Sequence, residues 1–342
     1  MPNPYVYKEP LKGRQGFFNR NSEITRVTSR IAADRPQSIS IVGAPRAGKT
    51  SLLNYLYDPE SRAGYLDDPP RYLFLLLKLM EVPPDSPPAF FALVDAALQQ
   101  EGEGSMKPTY EGFEELVKRL MQEARKLIVF CDDFGLVTSN SKFPLDFFSI
   151  MRSVANSNDV GYVTTSYAPL QQLCYTPDIE ESPFFNIFTT VNLEPFKDEE
   201  ARRLVEAPAR EAGEPFATET EWILKLAGAW PYLLQLTASL AFEARVNGRL
   251  EREALGAQAF KEAREFMETN WAGGHFPEAQ QEVMRAVLAG KEVELRYQFD
   301  AESLERRGLL RREGKGYVFS AGLWERFVKE QGSGRFWKRL FG

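Results

Sequence analysis

The sequence predicts an α/β fold built on a mainly parallel sheet, followed by a helical region and a small helix-hairpin region. Through the first half of the 342 residues, short apolar runs alternate with helical patterns, which is typical of parallel strands joined by helices. The runs LIVF and YLFLLL are continuous rather than alternating, as expected for strands buried on both faces. After residue 193, helical periodicity alone remains until the last small region.

The elements of the first half follow from these patterns. The apolar runs predict five strands, at Ser38–Val42, Tyr72–Leu79, Leu127–Cys131, Val160–Thr165 and Phe188–Leu193. The amphipathic segments between them predict helices at Lys49–Tyr57, Pro88–Gln99, Tyr110–Lys126 and Leu145–Asn156.

The second half predicts helices from Asp198 to about Asn270, with Gly228 and Pro231 separating two of them. The stretch WAGGHFP is expected to be a linker into a last region with the order helix, helix, hairpin, typical of a winged helix. Its expected elements are Pro277–Leu288, Asp300–Arg307, Leu309–Arg312 and Tyr317–Ser320. The expected domains are residues 1–196, 197–274 and 275–330, with a basic-aromatic tail at 331–342.

Composition excludes several classes of protein. The net charge of −6 gives no global field that would attract nucleic acid or anionic lipid. Two cysteines and one histidine argue against a disulfide framework, a structural zinc site and Ser-His-Asp catalysis. The N-terminus has no apolar signal region, and the apolar run Tyr72–Met80 is too short to span a bilayer. We therefore expect a cytoplasmic protein without an integral membrane segment.

The strongest motif is a glycine-rich turn between the first strand and the first of these helices. It matches G-x-x-x-x-G-K-[ST] at every position, so it predicts a P-loop that holds the phosphates of ATP. Lys49 is expected to reach the β- and γ-phosphates, and Thr50 to place its hydroxyl on Mg²⁺. A chance match is the alternative, and the flanking strand and helix argue against it. The expected phosphate-binding residues are Gly43, Ala44, Pro45, Arg46, Ala47, Gly48, Lys49, Thr50 and Ser51.

Two further strands end in polar residues suited to nucleotide hydrolysis. In LIVFCDDF, Asp132 is expected to hold Mg²⁺ and Asp133 to orient or deprotonate the attacking water. The alternative is a strand followed by a solvated acidic turn. In YVTTS, Thr165 and Ser166 are expected to sense the γ-phosphate or position the water, unless they simply fill the strand.

These motifs, in this order, resemble the STAND branch of the AAA+ ATPases. The resemblance covers roughly residues 12 to 330 and includes the segments FFNRNSEI, GAPRAGKTSLL, LIVFCDDF, YVTTSYAPL, VNLEPFKDEEARRLV and AGAWPYLLQ. It implies a P-loop NTPase core, an all-α lid and a small winged-helix domain.

The resemblance also implies roles for particular residues. Phe18 and Arg20 would lie beside the adenine or its ribose, and Pro231 would pack on the adenine ring. Asp133 stands where the family often has glutamate, and Tyr167 where relatives often carry arginine. Both differences imply slow hydrolysis. Arg46 resembles a Pro-Arg variant of the loop, and would either pair structurally or face a neighbouring subunit.

In this family, ADP holds the lid and winged helix closed, and exchange for ATP permits opening and self-association. The resemblance thus implies an ATP- and Mg²⁺-dependent switch that forms homo-oligomers. Members usually carry a repeat array or a fused effector, and the sequence shows neither. The chain is therefore expected to be a minimal member, a fragment, or a protein that works with a separately encoded sensor or effector protein as its partner.

DNA binding through the winged helix is the alternative function. Residues 301–342 carry ten basic residues and five acidic ones, and a basic helix and wing can follow phosphates. The basic residues are Arg306, Arg307, Arg311, Arg312, Lys315, Arg326, Lys329, Arg335, Lys338 and Arg339, and the acidic ones are Glu302, Glu305, Glu313, Glu325 and Glu330.

Overall fold

The computed structural model describes residues 2–248, 251–273 and 275–332. These residues divide into two compact units. The core unit contains residues 11–44 and 48–193, and the helical unit contains residues 2–10, 45–47 and 194–332.

The core unit is built on one parallel sheet, with the strand order β2-β3-β4-β1-β5 among the described residues. All five predicted strands are present. The strands are β1 (Ser38–Val42), β2 (Tyr72–Lys78), β3 (Lys126–Asp132), β4 (Val160–Ser166) and β5 (Phe188–Asn192). The helices are α1 (Asn21–Ile31), α2 (Lys49–Tyr57), α3 (Pro59–Ala63), α4 (Pro87–Gln100), α5 (Tyr110–Gln122), α6 (Gly135–Thr138), α7 (Leu145–Ser157) and α8 (Pro177–Glu180). Short 3₁₀ turns lie at Pro69–Arg71, Leu170–Leu173 and Pro183–Ile187.

One predicted helix was too long at its C-terminus. The helix expected to reach Lys126 ends at Gln122, because Ala124 adopts a left-handed conformation with φ 54°. The Arg125 N–H then donates to the Leu120 carbonyl oxygen at 2.8 Å, which completes the end of the helix. Lys126 instead begins β3, where its buried ammonium donates to the Ala33 carbonyl oxygen at 2.8 Å.

A phenylalanine-rich cluster covers one face of the sheet. The rings of Phe90 and Phe147 meet edge to face at 5.3 Å, and Phe91 and Phe113 lie 5.5 Å apart, so α4, α5 and α7 are joined. These side chains are almost fully buried, and each contributes about 1.5–3 kcal/mol of hydrophobic stabilisation. The sheet thus rests on a rigid layer, and its carboxyl edge can hold polar side chains in fixed positions.

The helical unit contains the remaining elements. Its helices are α9 (Asp198–Glu211), α10 (Glu219–Ala227), α11 (Pro231–Val246), α12 (Arg252–Ala272), α13 (Glu278–Leu288), α14 (Gln298–Arg306) and α15 (Gly322–Gly332). A hairpin of β6 (Leu310–Glu313) and β7 (Gly316–Phe319) lies between α14 and α15, and a 3₁₀ turn lies at Leu295–Tyr297. The predicted order of helix, helix and hairpin is present, whereas α15 was not predicted. The assignment of this region as a winged helix stays a prediction.

An aromatic cluster joins the predicted lid to the predicted C-terminal domain inside this unit. The ring of Trp324 lies 6.1 Å from Trp230, 6.1 Å from Phe266 and 5.2 Å from Phe276. Trp271, in the predicted linker, packs on Phe327 at 5.7 Å. The segment expected to be a linker therefore contributes to a shared core. The predicted tail lies outside the described residues from 333 onward.

Gly228 ends α10 in a conformation reserved for glycine, with φ 65° and ψ −147°. A Cβ atom there would lie 2.8 Å from the Cβ of Ala321. The predicted break between two helices is confirmed, and its close approach to the segment before α15 explains why a glycine is needed.

The N-terminal residues 2–10 also belong to the helical unit. The Asn3 amide donates to the Ser239 carbonyl oxygen at 3.1 Å and to its hydroxyl at 2.9 Å. The Tyr5 hydroxyl donates to the Val205 carbonyl oxygen, and its ring stacks on Phe216. This segment is therefore fixed against α9 and α11.

Candidate nucleotide-binding site

The glycine-rich turn lies between β1 and α2, as the motif requires. The Gly43 N–H donates to the Ser166 carbonyl oxygen at 3.1 Å, which ties the start of the turn to β4. Gly48 has φ 95°, and a Cβ atom at that position would meet nothing within 4 Å. The N-terminal N–H groups of α2 follow directly, and they are the usual donors to a bound phosphate.

Lys49 is the buried cation of the turn. Its side chain is 9% exposed, and its ammonium donates to the carbonyl oxygens of Gly43 at 2.9 Å and Ala44 at 3.2 Å. Burial lowers the pKa of Lys49, while the charges of Asp133 and Asp132 raise it in part. The ammonium therefore lies within the turn, beside neutral acceptors that phosphate oxygens can replace.

The two aspartates lie at the carboxyl end of β3. Asp132 is buried, and Asp133 adopts a left-handed conformation with φ 60°, which is uncommon for a non-glycine residue. Burial raises the pKa of the Asp133 carboxyl, the charge of Asp132 raises it further, and Lys49 lowers it in part. The structure therefore brings Lys49 and both carboxylates into one electrostatic environment.

Thr165 connects the two aspartates. Its buried hydroxyl donates to Asp132 Oδ1 at 2.6 Å and accepts from the Asp133 N–H at 2.7 Å. The Ser166 hydroxyl donates to the Ala168 carbonyl oxygen at 2.7 Å. Their expected roles at the γ-phosphate stay predictions, but Thr165 has a visible role in holding the acidic pair.

The residues expected to complete a metal site are Thr50 and Asp132. Both belong to the core unit, and Thr50 is partly exposed on the first turn of α2. The described residues contain no group of three or more His, Cys, Asp or Glu side chains suited to a metal ion. One carboxylate, one hydroxyl and phosphate oxygens are the donor set that Mg²⁺ commonly uses, so these residues fit that ion.

The segment before α1 lies along α2. The Leu11 N–H donates to the Ser51 hydroxyl at 3.1 Å, and Phe17 stacks on Tyr55 at 4.5 Å. Asn19 and Arg20 both have positive φ, at 63° and 64°. Consecutive left-handed residues are costly, and such strain is concentrated at binding sites.

Of the two residues expected near the adenine, Arg20 is buried and Phe18 is half-buried. The Arg20 guanidinium pairs with Glu23 at 2.8 Å, a partner that the sequence did not single out. Pro231 is the first residue of α11, in the helical unit. The adenine contacts of Phe18, Arg20 and Pro231 stay predictions.

Arg46 has structural partners inside the helical unit. Its guanidinium lies 4.4 Å from the centre of the Tyr232 ring, and Nη1 donates to the Tyr7 carbonyl oxygen at 3.5 Å. These contacts give Arg46 partners within the chain, and its expected place facing a neighbouring subunit stays a prediction. Sequence reasoning missed both tyrosines, although the position of Tyr232 directly after Pro231 was a signal.

Several basic residues of the C-terminal region are engaged within the chain. Arg312 pairs with Glu302 at 3.2 Å and with Glu305 at 3.3 Å. Arg307 donates to the His275 carbonyl oxygen at 2.7 Å and lies 4.1 Å from the centre of the Phe276 ring, and burial lowers its pKa to about 10. Arg335, Lys338 and Arg339 lie outside the described residues.

A family model for Novel STAND NTPase 2 matches residues 33–293, which is more than half of the chain. The chain belongs to this family. The match begins before the phosphate-binding turn and extends past α13, so it includes the lysine, both aspartates and Thr165. The predicted resemblance to STAND-type P-loop ATPases is thereby confirmed.

Two solved structures share the fold of this Novel STAND NTPase 2 member. The Walker-type ATPase PABY2304 of Pyrococcus abyssi aligns with a TM-score of 0.66 at 17% identity, covering 94% of this chain and 99% of that one. The ORC2 protein of Aeropyrum pernix, solved as ADPNP-ADP complexes, aligns with a TM-score of 0.61 at 13% identity, covering 97% and 98%. No curated protein shows significant sequence similarity to the chain.

Among the described residues, no helix is both long enough and apolar enough to cross a bilayer.

Proposed function

We propose that this protein is an ATP-dependent switch that binds Mg²⁺-ATP, hydrolyses it slowly and self-associates according to the nucleotide bound. The observation that carries the proposal is the convergence of Lys49, Asp132 and Asp133 behind the glycine-rich turn. Membership of a STAND NTPase family supports the nucleotide chemistry. The proposal that the bound nucleotide controls self-association follows from the family resemblance.

In the proposed reaction, different residues of the core unit have different roles. Lys49 exchanges its carbonyl partners for phosphate oxygens and neutralises their charge. Asp132 and Thr50 would hold Mg²⁺, which would supply positive charge to the phosphate oxygens. Asp133 accepts the proton of the attacking water.

Slow hydrolysis is supported by the environment of Asp133. Its left-handed backbone is held by Thr165. A shorter acid in a fixed backbone has less reach toward a water molecule than glutamate would have. A slow reaction suits a switch, because the ATP state must last long enough to be sensed.

Adenine is the proposed base. The resemblance implies that Phe18 and Arg20 lie beside the adenine or its ribose, and that Pro231 packs on the adenine ring. The strained backbone of Asn19 and Arg20 supports a binding role for this segment. The lid at 197–274 and the winged helix at 275–330 are assigned in the same way.

The proposed switch predicts a change of mass with the nucleotide. Size-exclusion chromatography with light scattering should give a larger species with Mg²⁺ and a non-hydrolysable ATP analogue than with ADP. The nucleotide shifts the equilibrium because it binds the two states with different affinity. A Lys49→Ala variant is the control and should elute alike under both conditions. Equal masses of the wild-type protein with both nucleotides would contradict nucleotide-gated association.

Thr165 provides a second test, directed at hydrolysis. Thr165→Val keeps the shape of the side chain but leaves Asp132 and the Asp133 N–H without their shared partner. We expect kcat for ATP to fall about 10- to 100-fold, the usual effect of removing a group that orients catalytic residues, with little change in ATP affinity. Thr165→Ser should restore turnover.

The neighbouring residue supplies a matched control for this experiment. Thr164 is also buried, and its hydroxyl bonds to the Ile39 carbonyl oxygen instead of an aspartate. Thr164→Val should therefore leave kcat near the wild-type value. An equal loss in both variants would mean that Thr165 merely supports the strand.

The proposal includes a separately encoded sensor or effector as partner and a cytoplasmic location.

The proposal does not include DNA binding. Arg312 is neutralised by two glutamates, and Arg307 is directed into the protein, so the predicted helix and wing present less positive charge than their composition implies.

A further inference from the structure

Arg46 is held in an unusual conformation at the apex of the phosphate-binding turn. Its φ of 59° is left-handed, although it is not a glycine. Pro45–Ala47 group with the helical unit, while Ala44 and Gly48 on either side group with the core unit. The stack on Tyr232 and the bond to the Tyr7 carbonyl oxygen are the contacts that hold the guanidinium.

Tyr232 is itself firmly placed. It is 8% exposed, its ring lies 4.9 Å from Phe266, and its hydroxyl donates to the Glu262 carbonyl oxygen at 3.5 Å. The Tyr7 hydroxyl bonds to the Glu262 carboxylate at 2.7 Å. Tyr7 and Tyr232 both bond to Glu262 of α12, and both contact the Arg46 side chain.

We propose that Tyr232 is a positioning residue of the phosphate-binding turn, acting through Arg46. A turn fixed at its apex has fewer conformations to lose when phosphate binds, so the stack raises affinity for the nucleotide. This inference rests on the proposed function, since it assumes that the turn binds ATP. A purely structural stack would instead stabilise the helical unit without changing nucleotide affinity.

A double-mutant cycle measured on ATP affinity tests the inference. The full-length proteins are wild type, Arg46→Ala, Tyr232→Ala and the double variant, titrated with Mg²⁺-ATP by calorimetry. Loss of a cation–π contact predicts that Tyr232→Ala raises the Kd about two- to fivefold. Because its effect passes through Arg46, Tyr232→Ala should add nothing in the Arg46→Ala background. Tyr232→Phe, which keeps the aromatic face, should bind like wild type.

A second pair of residues in the same unit supplies the control. The Arg326 guanidinium lies 4.1 Å from the centre of the Phe260 ring, and neither residue belongs to the turn. Arg326→Ala and Phe260→Ala should lower the melting temperature and leave the Kd unchanged. If these variants change the Kd as much as Tyr232→Ala does, the effect is general loosening and the inference is overturned.

The outcome also separates this inference from the proposed function. A wild-type protein that does not bind ATP contradicts the function itself. A wild-type protein that binds ATP, with independent effects of Arg46→Ala and Tyr232→Ala, leaves the function standing and removes the role of Tyr232.

Discussion

Lys49→Ala is expected to lose most of its affinity for ATP. The ammonium is the cation of the turn, and removing one partner of a buried charge pair weakens binding about 30-fold to more than 1,000-fold. The variant should still fold, because the partners that it loses are two carbonyl oxygens of the same turn. Calorimetric titration with Mg²⁺-ATP measures the affinity, and a thermal melt checks the fold.

A second buried lysine makes the matched control. Lys126 lies at the start of β3, and Asp132 lies at its end, so the two residues are at opposite edges of the sheet. Lys126→Ala should reduce stability, because it removes a partly buried hydrogen bond, and should leave the Kd for ATP near the wild-type value. Wild-type affinity in Lys49→Ala would remove the central claim.

Asp133→Asn is expected to bind ATP normally and to lose turnover. General-base catalysis contributes about 10²–10⁴-fold, so kcat should fall within that range. Asp133→Glu, which keeps the carboxylate, should retain turnover and thus separates loss of charge from loss of fold. If Asp133→Asn also fails to bind ATP, the division of roles between Asp132 and Asp133 is wrong.

The raised pKa of Asp133 adds a pH dependence to this prediction. The base must be ionised, so wild-type kcat/KM should fall on acidification at a higher pH than an ordinary aspartate would give. The same shift affects stability. A carboxyl whose folded-state pKa lies above its ordinary value of 3.8 binds its proton more tightly in the folded chain. Stability is therefore lost as pH rises through the folded-state pKa.

Asp133→Asn removes the loss of stability that comes from ionising the buried carboxyl. Its melting temperature should exceed that of the wild type at neutral pH, and the difference should shrink below the ordinary aspartate pKa. A lower melting temperature at neutral pH would mean that the attraction between Asp133 and Lys49 outweighs desolvation. Melting curves at several pH values decide between the two.

Much of the core could be predicted from sequence because its signals are local. Short apolar runs marked the five strands, and the spacing of Gly43, Gly48 and Lys49 marked the turn. The link from Thr165 to the aspartates was not predictable, because it depends on the pairing of β3 with β4, in which Cys131 lies opposite Thr164. No local pattern encodes that register.

Other features were missed because they join distant segments. Arg46 and Tyr232 are far apart in sequence, and the place of Tyr232 directly after Pro231 does not reveal which residue its ring contacts. Arg307 was expected among the basic residues that could follow phosphates. Its guanidinium instead contacts the Phe276 ring and donates to the His275 carbonyl oxygen. Helix α15 was not predicted, because its segment was interpreted by its basic charge and the burial of Trp324 and Phe327 was not inferred.

The placement of residues 2–10 has a consequence for how the chain assembles during synthesis. Asn3 and Tyr5 leave the ribosome before any part of the core unit, yet their partners on α9 and α11 are translated after it. The core unit can close its sheet while this leading segment is still undocked. Because its ring packs on Phe216, Tyr5 cannot reach this native partner until the chain has been translated past α9.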